Sequence, residues 1–269
     1  MDIMSLLPMI VGLLVTGVVA GLMAGLLGIG GGLVLVPVLF YVFSGQTQDP
    51  VTALTTATAT SLAIIVPTSV SSVAAHFRQK NIDTDLLKVW WPWILLGVLC
   101  ASSLINWLRG PWIQILFSAF AIGMGIKIAL QGNKKNVPSR YWRHVPTATV
   151  PLFIGLISTL VGIGGGTLTV PALSSKGYIM SRAIGTSAAV GFIIALPAAL
   201  SLMLAQTPHA AIPFTLGLVN IAAFAITAPL ATLVAPIGAR WSKRVDPKNL
   251  KRLFAVVLIV TGIRIALSV

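Results

Sequence analysis

Two glycine-rich segments carry the groups in this sequence best suited to binding an anion. One runs from Gly28 to Gly32, and the same five residues, Gly-Ile-Gly-Gly-Gly, recur from Gly162 to Gly166. Glycine costs about 1 kcal/mol relative to alanine inside a helix, so each segment should break its helix. A break leaves backbone N–H groups unpaired, and at the start of the next helix such groups bind anions with the help of the helix dipole. The alternative is that these small residues serve only to let helices pack closely. The glycines predicted to line the site are Gly28, Gly30, Gly31, Gly32, Gly162, Gly164, Gly165 and Gly166.

Hydroxyl groups behind the first glycine segment could add further donors. The apolar segment from Val51 to Ala75 is rich in threonine and serine, and counting back from Pro67 and Pro197 aligns Thr56 with Thr186. Hydroxyls at such positions can donate to the oxygens of an anion. The alternative is that each hydroxyl bonds the carbonyl four residues earlier in its own helix. The hydroxyls included in the predicted site are those of Thr55, Thr56, Thr186 and Ser187.

Three residues are candidates for a gate. Pro67 and Pro197 should kink their helices because proline removes a backbone hydrogen bond, and a kink can act as a hinge or serve only packing. Arg182 precedes a long apolar segment. It could form a contact of an inner gate, or it could simply be a basic residue on the inner side, as the positive-inside rule expects. Asn220 and Gln114 are isolated amides in apolar segments, for which hydrogen bonding between helices is expected.

Composition places these groups in a membrane. The chain of 269 residues is 57% hydrophobic and 9% charged, whereas soluble domains carry about 25% charged residues. The formal charge of +13 does not indicate a nucleic-acid partner, because the basic residues cluster between apolar segments as in cytoplasmic loops. The single cysteine, Cys100, excludes an intramolecular disulfide.

The chain also repeats itself, which predicts two halves, residues 1–130 and 147–269, joined by a basic cytoplasmic linker at 131–146. Each half would be a glycine-broken, re-entrant helix pair followed by three transmembrane helices. The loop after the first short segment holds Asp49 and no basic residue, whereas its counterpart holds Lys176 and Arg182. By the positive-inside rule the halves are therefore inverted. The predicted fold is an all-α, multi-pass protein of the plasma (inner) membrane, with two inverted repeats and both termini outside.

Several of these features together resemble a known family. The paired glycine segments, the Val-Pro pairs after them at Val36-Pro37 and Val170-Pro171, the hydroxyl-rich helix and the basic linker resemble the sulfite exporter TauE/SafE family, also called the toluene-sulfonate uptake permease family. The resemblance covers nearly the whole chain. It implies a secondary transporter of sulfite or organosulfur anions such as sulfonates and sulfoacetate, for which we expect alternating access. An anion channel and a non-transporting membrane partner or sensor are the alternatives.

The apolar segments lack the acidic and histidine side chains that commonly carry protons in transporters. No Asp or Glu lies in them, and His76, His144 and His209 lie in predicted loops. A carboxylate proton relay is therefore not expected. Proton coupling stays open, with the proton carried either on the substrate or by the loop histidines. We expect no enzymatic activity, metal or cofactor; the predicted partners are a small anion and the lipid bilayer, and the oligomeric state stays open.

Overall fold

The computed structural model describes residues 3–27, 31–107, 112–130, 147–205, 212–241 and 248–267. The helices of the first half are α1 (Ile3–Leu27), α2 (Gly32–Ser44), α3 (Pro50–Arg78), α4 (Thr84–Trp107) and α5 (Trp112–Leu130). Those of the second half are α6 (Thr149–Val161), α7 (Gly166–Ser175), α8 (Met180–Met203), α9 (Ile221–Trp241) and α10 (Lys248–Ala266). The predicted all-α class is confirmed. The predicted linker at 131–146 lies outside the described residues.

The helices form a polytopic membrane bundle. In the described ranges, four helices are long and apolar enough to cross a bilayer: α3, α4 from Thr84 to Ile105, α8 and α9. Inside the bundle lie α3 and α8, whose apolar stretches are 67% and 72% buried. By contrast, α4 and α9 are only 39% and 33% buried and present side chains such as Leu99 and Leu233 outward. An outer surface this apolar suits lipid rather than water.

Two short helices follow the glycine segments, as the sequence predicts. With 13 and 10 residues, α2 and α7 are too short to span a bilayer, which takes about 20 helical residues. Both begin in the same way, because their N-cap residues, Gly31 and Gly165, adopt left-handed φ angles of 75° and 64°. Side chains with a Cβ are strained in that region, so glycine is required at both positions.

Helix packing follows the order of the predicted repeat. The contact of α1 with α9 has a counterpart in the contact of α6 with α4, and α3 with α9 has one in α8 with α4. In the same way, α2 packs on α3 as α7 packs on α8. The pairs α3 with α8 and α5 with α10 join equivalent helices of the two halves. The division into two repeated halves and their orientation in the membrane stay predictions.

One apolar segment differs from the sequence-based expectation. The predicted span from Ile212 to Ile237 begins instead with a short antiparallel hairpin, and α9 starts only at Ile221. Asn220 accounts for the difference: its Oδ1 accepts a hydrogen bond of 2.9 Å from the amide of Ala223, and its Nδ2 donates one of 2.8 Å to the Pro213 carbonyl. Its side chain therefore caps α9, a role that asparagine favours, and does not bond another helix. The hairpin consists of β1 (Thr215–Leu216) and β2 (Val219–Asn220).

Candidate functional site at the glycine breaks

The two glycine segments lie against each other inside the bundle. A Cβ added at Gly32 would be 2.7 Å from the carbonyl oxygen of Gly162 and 2.8 Å from the Cα of Ile163. A Cβ added at Gly162 would be 2.9 Å from the Cα of Thr58 on α3. Such distances are below normal van der Waals contact, so only glycine fits at these two positions. The structure thus brings Gly32 and Gly162 together, and both also serve close packing.

The other predicted glycines surround this contact. Gly164 turns its carbonyl oxygen toward α8, where a Cβ at Gly191 would be 2.8 Å from it. Gly165 caps α7 and Gly166 is its first residue, while Gly31 caps α2 on the other side. All of these described glycines are buried. Gly28 and Gly30 lie outside the described residues.

The second break leaves backbone donors unused. The amides of Gly165 and Gly166 each donate a 2.6 Å hydrogen bond two residues back, and Thr169 donates one of 2.8 Å to the Gly165 carbonyl. Among the described residues, the amides of Gly164 and Thr167 donate no hydrogen bond. Two N–H groups at the N-terminus of α7 therefore stay available, where the helix dipole favours a negative charge.

Buried hydroxyls accompany these amides. Ser61 of α3 donates a 2.8 Å hydrogen bond to the carbonyl of Gly162, which ties the hydroxyl-rich helix to the break. The helices that meet at the break also carry hydroxyls that are buried and have no hydrogen-bond partner among the described residues. An unmade bond at a buried polar group costs about 1–3 kcal/mol, so packing alone does not explain this set. Its members on these helices are Thr58, Ser69 and Ser72 of α3, Ser158 and Thr159 of α6, and Thr167, Thr169 and Ser174 of α7.

Most of this set was not predicted from the sequence. Thr58 belongs to the hydroxyl-rich segment from Val51 to Ala75. The hydroxyls of α6 and α7 and those beyond Pro67 are not among the predicted site residues. One signal could have found the α3 members: Thr58, Ser61, Ser69 and Ser72 are spaced by three, eight and three residues, which places them on one helix face.

The predicted hydroxyls have different environments. Thr55 donates 2.9 Å to the Val51 carbonyl and Ser187 donates 2.8 Å to the Ile184 carbonyl, so both bond their own helix, as in the alternative stated above. Thr186 instead accepts a 3.0 Å hydrogen bond from an amide of the α3–α4 loop.

The remaining predicted hydroxyl is that of Thr56, a residue that is 2% exposed, and this hydroxyl forms no hydrogen bond with the described residues. The aligned pair Thr56 and Thr186 therefore does not share one role. Pro67 and Pro197 lie inside α3 and α8, and neither proline ends its helix.

Arg182 belongs to a polar cluster between the two halves. Its Nη2 lies 3.2 Å from Oδ2 of Asp83 in the α3–α4 loop, and the hydroxyl of Tyr178 donates 2.9 Å to the same oxygen. Burial alone would raise the pKa of Asp83, but hydrogen bonds from the Leu86 amide and Tyr178 and the charge of Arg182 lower it below its usual value. The carboxylate therefore stays ionised, and the loops before α4 and α8 are joined at one end of the bundle.

The charge available near the break is small. Within the described part of the chain, the buried polar residues include no Asp, Glu, Lys or Arg, and His76 is the one titratable side chain among them. His76 was predicted in a loop, but α3 extends to Arg78 and buries it. Basic residues suit the last turn of a helix because of its dipole, which explains the longer helix. An anion at the break would meet amides and hydroxyls, not basic side chains.

Comparison with known proteins places the chain among membrane transporters. A protein of Haemophilus influenzae described as a probable membrane transporter protein is 29% identical over 256 residues, covering 95% of this chain and 97% of that protein. One of Methanocaldococcus jannaschii with the same description is 26% identical over 270 residues, covering 97% and 96%. No solved structure matches the chain. Because the model of the sulfite exporter TauE/SafE family matches residues 13–265, the chain belongs to that family, whose members are membrane transporters and not enzymes.

Proposed function

We propose that the protein is a secondary transporter of small anions, namely sulfite or organosulfur compounds such as sulfonates and sulfoacetate. One observation carries the proposal: the amides of Gly164 and Thr167 have no acceptor among the described residues, where the second glycine break meets Gly32 and α3. An anion without partners in an apolar environment costs many kcal/mol, so it must find donors. Broken helices of repeated halves are where secondary transporters hold their substrates.

The packing of the two halves supports alternating access. At the interface, α3 and α8 cross, and each also packs against a helix of the other half, α9 and α4 respectively. The pair of Arg182 with Asp83 joins the halves at the end that carries the basic loops. In this mechanism the pair holds the inner side closed while Pro67 and Pro197 let α3 and α8 bend. By the positive-inside rule, the basic loops favour a cytoplasmic position for this end in the plasma (inner) membrane, and both termini would then lie outside.

Uptake into proteoliposomes tests the function. The purified full-length chain is reconstituted, and accumulation of labelled sulfite and methanesulfonate is followed under an imposed proton or ion gradient. A transporter should concentrate at least one of them above its external concentration. Entry that stops at equal concentrations would instead identify a channel, and no entry together with no ligand-induced thermal stabilisation would favour a partner or sensor.

A pair of glycine substitutions tests the site. We expect Gly164→Leu to abolish uptake, because its carbonyl oxygen lies at the contact with α8 and its amide is one of the proposed donors. Gly123→Leu is the matched control, since a Cβ at Gly123 has no neighbour within 4 Å. Both variants should reach the membrane in equal amounts. Wild-type uptake by Gly164→Leu would remove the break from the site.

A further inference from the structure

The hydroxyls around the second break have no counterparts at the first. Thr167 and Thr169 lie two and four residues after the N-cap Gly165, and the same positions after Gly31 hold Leu33 and Leu35. All four side chains are buried. The two short helices therefore begin with the same backbone but offer different chemistry, with donors at α7 and apolar side chains at α2.

The long central helices α3 and α8 also differ in their hydroxyls, but here, at two equivalent positions, the first half carries them and the second half does not. Counting from their prolines, the positions of Thr58 and Ser69 on α3 correspond to Ala188 and Ala199 on α8. The donors of α3 therefore come from the first half of the chain and those of α7 from the second half. Because α3 contacts Gly162, both sets of donors border the second break.

Two distances show that these hydroxyls face the break. A Cβ at Gly191 would be 3.3 Å from Oγ of Ser69 and 2.8 Å from the carbonyl oxygen of Gly164, so both oxygens border the same point on α8. A Cβ at Gly165 would be 3.8 Å from Oγ1 of Thr169. Ser69 is 1% exposed and Thr169 is fully buried, and neither hydroxyl has a partner among the described residues.

The two basic residues that follow α7 in the described part of the chain are engaged elsewhere. Lys176 is the C-cap of α7, nine residues beyond Thr167 and so about 13 Å along the helix. Its ammonium lies 5.2 Å from the centre of the Trp90 ring. Arg182 is paired with Asp83 and half-exposed. Among the described residues, which bury no Lys or Arg, the charge of a bound anion would therefore be met by dipoles.

We propose, building on the transport function above, that the site is one-sided and takes a singly charged oxyanion. The oxygens of the anion would be held by the hydroxyls of Ser69 and Thr169 and by the amides of Gly164 and Thr167. The Born cost of transferring an ion from water grows with the square of its charge, so a dianion costs about four times as much to bury. Without a basic side chain among the described residues to offset that cost, the site admits monovalent sulfonates and hydrogen sulfite and rejects sulfate and the sulfite dianion. Sulfoacetate also carries two charges at neutral pH, so it drops out of the candidate substrates named above.

The test compares anions of fixed and variable charge. Uptake by the wild-type chain in proteoliposomes is measured between pH 6 and 8 for methanesulfonate, sulfite and sulfate at equal concentration. Methanesulfonate stays a monoanion, so its uptake should not change with pH. Sulfite uptake should rise as the pH falls and hydrogen sulfite forms, and sulfate should neither enter nor compete. If a group of the protein such as His76 caused the pH dependence, the uptake of methanesulfonate and of sulfite would both change with pH. Methanesulfonate is therefore the control.

Variants then test the donors. Thr169→Val and Ser69→Ala should each weaken methanesulfonate binding about tenfold to a hundredfold, as expected for the loss of a hydrogen bond to a charged group. Thr169→Ser keeps the hydroxyl and should bind like the wild type. Thr68→Val is a matched control beside Ser69, because Thr68 is equally buried but donates 2.8 Å to the Ile64 carbonyl of its own helix. Unchanged affinity in Thr169→Val and Ser69→Ala would overturn the assignment.

The outcomes separate the two proposals. If sulfate enters as well as methanesulfonate does, or if sulfite uptake rises with pH, the charge inference is overturned while the transport function stands. If no anion is taken up or bound by the wild type, the transport function fails and the inference fails with it. If methanesulfonate and hydrogen sulfite enter and sulfate is excluded, both are supported.

Discussion

Ser61 donates a 2.8 Å hydrogen bond to the carbonyl oxygen of Gly162, 101 residues later in the chain. Both groups are buried, and the bond joins the hydroxyl-rich helix of one half to the glycine break of the other. Most membrane serines and threonines satisfy a carbonyl of their own helix. Here the hydroxyl holds a carbonyl that the broken helix cannot satisfy, which fixes the break against α3.

Removing that hydroxyl should destabilise the bundle. We expect Ser61→Ala to lower the free energy of unfolding by about 1–3 kcal/mol, because the buried Gly162 carbonyl loses the partner that α3 supplies. Thermal unfolding in detergent measures the loss. Thr68→Val on the same helix should change stability less, since the carbonyl it releases still accepts within the helix. Equal effects of the two substitutions would contradict the role given to Ser61.

The contact between the glycine segments should tolerate no side chain. In Gly32→Ala the new methyl would be 2.7 Å from the Gly162 carbonyl oxygen, so backbone must move and both stability and uptake should fall. Overpacking of this kind costs about 1–3 kcal/mol. Gly12→Ala is the control, because a Cβ at Gly12 meets nothing within 4 Å. There alanine should stabilise α1 by about 0.5–1 kcal/mol. A stable, active Gly32→Ala variant would show that the contact is loose.

The sequence predicts the elements of this site better than its donors. Four glycines in five positions stop a helix by backbone entropy alone, so both breaks, and the starts of α2 and α7 within one residue, follow from local chemistry. Which hydroxyls are left unpaired depends on which helices meet, and that is a property of packing. Thr55 and Thr58 cannot be distinguished in the sequence, yet only Thr55 bonds its own helix.

Asn220 shows a second limit of the sequence. An asparagine in an apolar segment is expected to form a hydrogen bond between helices. Here Asn220 instead ends the hairpin and caps α9. Asn220 can be recognised as a cap only when the first residue of the helix is known. Hydropathy does not show where an apolar helix begins.

The ion pair between the halves should make stability depend on acid. Asp83 has a pKa below its usual value, so the stabilisation it gives is present at neutral pH and is lost as the pH falls through the lowered pKa. Asp83→Asn keeps the cap of α4 but removes the charge facing Arg182, and should cost about 1 kcal/mol at pH 7. The difference in melting temperature from the wild type should shrink below pH 4, with folding followed by circular dichroism.

An exposed ion pair provides the control for this experiment. The side chains of Asp85 and Lys88, 3.1 Å apart, are 88% and 77% exposed, so Asp85→Asn should leave the melting temperature unchanged. Equal losses in Asp83→Asn and Asp85→Asn would indicate a general effect of net charge. A deficit of Asp83→Asn that persists at low pH would point to lost packing instead of a lost charge.

Inverted halves require that equivalent loops lie on opposite sides of the membrane. The exposed residues Gln48, after α2, and Ile179, after α7, are suitable positions for single cysteines in a Cys100→Ser background. In intact cells an impermeant maleimide should label Gln48→Cys, and Ile179→Cys should react only after the membrane is opened, because its loop carries Lys176 and Arg182. Labelling of both from the same side would make the repeats parallel. In that case the shared environment of the two breaks would no longer follow from symmetry, and alternating access through an inverted pair would be excluded.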